Sequence, residues 1–311
     1  MSAKPFLTYD ELIDKLKNEK KLSITNRNFA IQKLKEYSYF ALITGYKGPF
    51  KMKNGEYKPH SSFEDIYALF LFDDSLRSLF LKYILKIENH VKSLISYSFC
   101  EIYGDNQQEY LNATNYNYIP KNQKEINKLI GKLSDLVSGN TVYPYINHQF
   151  LVHGNVPLWV IMKALTLGTV SKMYSFLCSK AQASVSIEFP SVREDSLVRM
   201  LDLLSRVRNV CAHNERLFDY RYNTGAIDDT PAHRFLNLKN KGGKYKNGKN
   251  DLFAVVIVFR YMLDSDSFSD FISSLSLIMN DLLSQTKMIR LDMLYKYTGF
   301  PVNWKDILSS P

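Results

Sequence analysis

Arg208, Asn209 and His213 have side chains suited to chemistry on a phosphodiester. They stand in the run Arg206-Val207-Arg208-Asn209-Val210-Cys211-Ala212-His213-Asn214-Glu215-Arg216. Histidine titrates near neutral pH and serves as proton acceptor or donor. Arginine grips two phosphate oxygens at once and stabilises charge as it develops. Asparagine can orient the histidine or bind a phosphate oxygen. RNA brings its own nucleophile, the 2′-hydroxyl, so this route requires no metal and no other cofactor. Taken alone, an R-x-x-x-x-H string recurs by chance. A histidine at a helix end more often caps carbonyls than catalyses.

The motif closes an apolar helical pattern that runs from about Glu194 to Ala212, with Leu197, Met200, Leu201, Leu204, Val207 and Cys211 on its buried stripe. At ~100° per residue Asn209 and His213 share a face, with Arg206 and Arg216 close to it. Arg208 falls about 140° from His213 on the same arithmetic. Arg208 and His213 therefore meet at one phosphate only if the helix ends or bends here, or if two copies of the chain face each other. The second geometry makes the expected partner a second copy, with a composite site.

Helical periodicity dominates the rest of the chain. Thr8-x-x-Glu11 predicts a capped first helix, and a second begins near Thr25. Asn54-Gly55 predicts a tight hairpin turn. These features give residues 1–60 a helix-helix-hairpin outline, which is also that of a winged-helix DNA reader; packing against the main body is the plainer expectation. Residues 61–311 form the helical body. Ser61-x-x-Glu64 is read as the cap of the longest helix, which Gly104 ends. Arg77, Lys82, Lys86, Glu88 and Lys92 lie off its apolar stripe. Further helices are expected at 121–137, after Pro157, at 252–263 and at 268–283, with 105–120 read as loop. Residues 229–250 read as a basic, flexible loop. Its Lys241, Lys244 and Lys246 are candidate phosphate contacts, or simply a solvated surface.

A net charge of +9 favours polyanionic partners. A lysine-rich proteome explains the same number. The 21 Tyr and 19 Phe suit either ordinary packing or stacking on bases. Cys100, Cys178 and Cys211 lack C-x-x-C spacing, which argues against a zinc ribbon or disulfide scaffold. His60, His90, His148, His153 and His233 show no metal-ligand spacing. The N-terminus opens no apolar signal, and the most apolar run, Phe253 to Phe259, is too short to span a bilayer. A cytoplasmic protein with no membrane segment is expected.

The segment Arg208 to Leu217 resembles the signature of HEPN domains in the Abi-like (abortive infection, AbiD/AbiF type) family. Three other blocks agree in order: Lys4 to Thr8 with Tyr37-Ser38-Tyr39-Phe40 and Gly45-Tyr46; Pro157 to Val160 with Leu165 to Gly168; and Gly299-Phe300-Pro301 with Asn303-Trp304. The resemblance implies a mainly α fold, a HEPN-type helical bundle, commonly a homodimer. It also implies a metal-independent endoribonuclease acting in phage defence, leaving 2′,3′-cyclic phosphate and 5′-hydroxyl ends. Arg208, Asn209 and His213 match the family motif as catalytic residues. Some relatives are toxins restrained by a structured noncoding RNA. Glu88, on the long helix, is a candidate support for the site, though an ordinary surface glutamate is the simpler reading. Relatives silenced by nucleotidyl transfer carry tyrosine two residues after the histidine, where this chain has Glu215. The competing readings are a non-catalytic RNA-binding protein using the same basic surface, and a purely structural helical dimer.

Overall fold

A computed structural model describes residues 5–223, 225–239 and 242–310, so Lys241 lies outside the described residues. Along the chain its α-helices are α1 Tyr9–Asp14, α2 Arg27–Tyr37, α3 Phe63–Tyr103, α4 Gln107–Leu111, α5 Gln123–Leu136, α6 Pro144–His153 and α7 Leu158–Ile161. They continue with α8 Leu167–Phe176, α9 Ser179–Ser186, α10 Glu194–Ala212, α11 Pro231–Phe235, α12 Leu252–Met262, α13 Ser265–Gln285 and α14 Leu291–Thr298. The described residues contain no β-strand, only isolated bridges, so the fold is all-α.

Helix α3 is the axis. Its 41 residues extend ~60 Å at 1.5 Å per residue, long enough to touch most of the other elements. α13, α10, α9, α8 and α7 all pack along it. α12 is apolar except at Arg260 and buried at every other position, as a helix at the centre of a core must be. Phe80 and Tyr83 of α3, Phe259 of α12 and Phe271 of α13 join these three helices through edge and tilted ring contacts. α8 approaches α10 closely at Gly168, where a Cβ would lie 3.0 Å from the Ser205 hydroxyl oxygen.

Several expectations are corrected in detail. The long helix is capped by Ser62 with Asp65, one residue later than expected. Asp65 is the better partner because its second oxygen accepts from buried Thr286. The turn at Asn54-Gly55 forms, but the arms pair only through a Lys51–Tyr57 bridge, because Tyr57 N–H turns instead to Lys20 O. α6 and α9 arise where no helix was expected, and the stretch after Pro157 is broken at Leu165, where the backbone becomes extended before Thr166 caps α8. Residues 105–120 contain α4.

The described residues of the basic loop carry internal ion pairs. Lys239 and Lys249 both pair with Asp229, and the Tyr245 hydroxyl donates to the same carboxylate. His233 is fully buried beneath it. Its Nδ1 accepts from Thr230 N–H, which makes Nε2 the protonated nitrogen that donates to Gly248 O at 2.8 Å. Burial lowers the imidazole pKa to about 4. The neutral form is thus the folded form, and its stabilisation is complete above about pH 6.5. It is lost as pH falls toward 4, where the unfolded chain takes up the proton first. We expect acidification from pH 7 to 4.5 to cost up to about 3 kcal/mol through this group. In His233→Gln that part of the pH dependence of urea unfolding should vanish; an identical pH profile would contradict the assignment.

Candidate functional site

The end of α10 is set by its own backbone. His213 is the C-cap, and its N–H donates to Asn209 O at 2.9 Å. Asn214 then turns left-handed at φ +54°, and Glu215 N–H reaches back to Val210 O at 3.0 Å. This is a Schellman closure with asparagine where glycine is usual. The helix therefore runs uninterrupted through Arg208 and Asn209 and stops at Ala212. His213 keeps a near-helical backbone, φ −97° and ψ 10°, so the angular offset from Arg208 is retained.

Asn209 and His213 are exposed on one face, a turn apart. Arg208 turns toward α3. Its side chain is 31% exposed, and its Nε lies 4.0 Å from the Oε2 of Glu88. Glu88 is buried, contrary to a surface position, and its other oxygen accepts from Lys92 at 2.7 Å. Neither Arg208 Nε nor Glu88 Oε2 has a hydrogen-bond partner among the described residues, so the two face each other as an ion pair slightly too long for a bond. The terminal nitrogens of Arg208 also have none there, which leaves its fork available to an anion.

The segment following the motif is held by a buried group on α3. Asp73 accepts from Tyr46 Oη at 2.7 Å, Arg77 Nη1 at 2.8 Å, Leu217 N at 3.0 Å and Phe218 N at 2.6 Å. Burial raises the carboxyl pKa above its usual value and the Tyr46 hydroxyl, Arg77 and the two amides pull it back; with four donors facing it, the geometry suits the ionised form. Arg77 also donates to Tyr46 Oη and to Asp74. Tyr46 comes from the N-terminal segment, so one carboxylate ties together that segment, α3 and the chain just beyond His213. Arg216 adds a second tie, donating to Gly45 O and to Asp219, both at 2.7 Å. Sequence periodicity assigned Arg77 to a polar face. Its i+4 relation to Asp73 was the available signal.

Arg206 is paired with Asp202 at 3.3 Å and lies 5.2 Å over the Tyr222 ring. With Arg199, Asp202, Asn209 and His213 it forms one stripe along α10, by the same ~100° arithmetic. A cleft of about 380 Å³ borders this stripe and includes Lys172. Lys172 also lines a neighbouring cleft of about 310 Å³, with Lys128 and Lys132 of α5. These lysines were missed, although Lys124, Lys128 and Lys132 recur every four residues. Cys211, inside the motif, is buried, and desolvation pushes its thiol up to about 12, so it is no nucleophile. Lys244 and Lys246 are exposed on the 229–250 segment. Among the described residues no three His, Cys, Asp or Glu side chains gather as metal ligands. No described helix is long and apolar enough to cross a membrane.

A family model described as Abi-like protein matches residues 32–219, a span that holds Tyr46, Asp73, Arg77, Glu88 and the whole motif. No curated protein and no solved structure matches the chain. We expect Asp73→Ala to destabilise the protein by about 3–5 kcal/mol, because it leaves Arg77 buried without its main counter-charge. Hydrogen exchange at the Leu217 and Phe218 amides should quicken with it. A loss below about 1 kcal/mol in urea unfolding would show that the buried carboxylate is dispensable.

Proposed function

This chain belongs to the Abi-like family, and from that premise we propose that it is an endoribonuclease effector of abortive infection, a toxin-like agent of phage defence. The observation that carries the reading is the pairing of an exposed Asn209–His213 face with an arginine whose fork is open and whose Nε is steered by buried Glu88. Arg208 would bind the scissile phosphate and Asn209 would orient it or the imidazole. The RNA 2′-oxygen attacks phosphorus, losing its proton, and the bond to the 5′-oxygen breaks as that oxygen gains one. The products are a 2′,3′-cyclic phosphate and a 5′-hydroxyl. His213 takes one of the two proton-transfer roles.

One continuous helix, closed at His213, places Arg208 and His213 about 140° apart around its axis. A second copy of the chain would bring its own histidine for the other proton transfer. We propose a homodimer with a composite site. The RNA strand would run along the α10 stripe and past Lys172 toward Lys128 and Lys132, with Lys244 and Lys246 as further phosphate contacts. A structured noncoding RNA would use the same basic surface to restrain the activity.

Purified protein incubated with cellular RNA in excess EDTA should give fragments with cyclic-phosphate ends. His213→Ala should give none, with RNA affinity kept and stability changed by less than about 0.5 kcal/mol, because the residue is exposed. Cleavage by that variant at the wild-type rate would sink the catalytic assignment; RNA retention without cleavage by either protein would favour the binding module. Glu88→Gln should slow single-turnover cleavage about tenfold or more while moving RNA affinity little, since it acts through Arg208. Lys128→Glu with Lys132→Glu and Lys172→Glu should weaken RNA binding and flatten its salt dependence by about two units of slope. An unchanged slope would remove this surface from the RNA path.

A further inference from the structure

A third cavity, of about 470 Å³, lies in the N-terminal segment among α1, the turn after it and the chain around Gly48. Lys15, Lys20, Lys47 and Lys51 line it, all half-buried, and no carboxylate is among the lining residues. The side chains of Lys15, Lys20 and Lys47 make no hydrogen bond or ion pair among the described residues. Lys51 donates to Gly55 O and lies 4.8 Å from the Tyr57 ring centroid. Of the other poorly exposed lysines, Lys33, Lys92 and Lys249 have counter-charges in Glu36, Glu88 and Asp229, and Lys58 donates to Pro49 O. This cluster departs from that pattern. Burial, and then repulsion from Lys47 and Lys20, pulls the Lys51 pKa down.

Tyr57 supplies an independent sign. It is 2% exposed, lines the same cavity, and its hydroxyl is buried without a hydrogen-bond partner among the described residues. Such a group costs stability unless something else satisfies it. The remaining wall is mostly apolar, with Leu12, Leu16 and the Tyr39 ring beside Thr44. The volume falls within the ~300–1,000 Å³ of small-molecule sites. Crowded ammoniums beside an apolar, aromatic wall match a ligand with a phosphate end and a flat ring.

We propose that this cavity binds a nucleotide, the lysines holding its phosphates and the Tyr39–Leu12 wall its base. The nucleotide is either free in solution or the 5′-phosphorylated end of an RNA. The proposal stands apart from the Arg208 motif, so its failure leaves the ribonuclease reading intact, and the reverse also holds.

The test is calorimetric titration of the full-length chain, in the uncleaving His213→Ala form, with ATP, adenosine, and a ten-nucleotide RNA carrying a 5′-triphosphate or a 5′-hydroxyl. We expect saturable binding of ATP or of the 5′-triphosphate RNA, and far weaker binding of adenosine and the 5′-hydroxyl RNA. Which of the two phosphorylated probes binds identifies the source. Lys20→Gln with Lys47→Gln should weaken that binding at least about tenfold, because it removes two charge-assisted contacts. The same variant without ligand should melt at an equal or higher temperature, since it relieves like-charge repulsion, whereas a structural role would lower it. Lys47→Arg should keep binding. Absence of saturable binding by either phosphorylated probe, adenosine binding as tightly as ATP, or unchanged binding by the double variant would overturn the proposal.

Discussion

The buried Asp73 carboxylate is the contact on which the architecture around the motif depends. A carboxylate in the interior is tolerated only when its lone pairs are filled. Here they are filled from three directions, by Tyr46 in the N-terminal segment, by Arg77 one turn along α3, and by the backbone of Leu217 and Phe218. The same bonds that satisfy the charge fix where the chain travels after His213. A neutral residue at 73 could pack there, but it would not hold these three parts in register. The family match covers all of these partners, from before Tyr46 to just past Phe218.

Around that anchor the chain distributes its positive charge unevenly. Arg77, Arg216 and Arg206 are engaged within the protein, as are Lys239 and Lys249 on the loop that looks most basic by composition. Charge open to an outside partner lies elsewhere, on α5 and α8 beside the α10 stripe and around the N-terminal cavity. A lysine's place in the sequence says little about its availability, because one well-placed carboxylate such as Asp229 neutralises two of them. Net charge says only how much positive charge there is; the packing decides which of it is neutralised within the protein.

Periodicity and capping chemistry were enough to recognise a helical protein, the span of α10 from Glu194 to Ala212, the end of α3 at Gly104 and the capped start of α1 behind Thr8. These are local properties, set by side-chain spacing within a few turns and by the hydrogen bonds of orphan backbone amides. The motif was readable for the same reason, since Arg208, Asn209 and His213 lie within two turns of one helix. α6 and α9 escaped notice because they are short, 10 and 8 residues, and helical periodicity shows only over several turns.

Two matters were decided only in three dimensions. Glu88 and Arg208 are far apart in sequence, and they meet because α3 and α10 pack together, a consequence of the whole core. Arg77 could be told from its solvent-facing neighbours only once Tyr46, Asp73 and the Glu215–Phe218 segment converged on it. The order of residues specified the long helices and which side chains line their faces, because those preferences are local. Which polar side chains ended buried and paired, and which were left open to a ligand, depended on long-range packing, because a charge is tolerated or not according to everything that surrounds it.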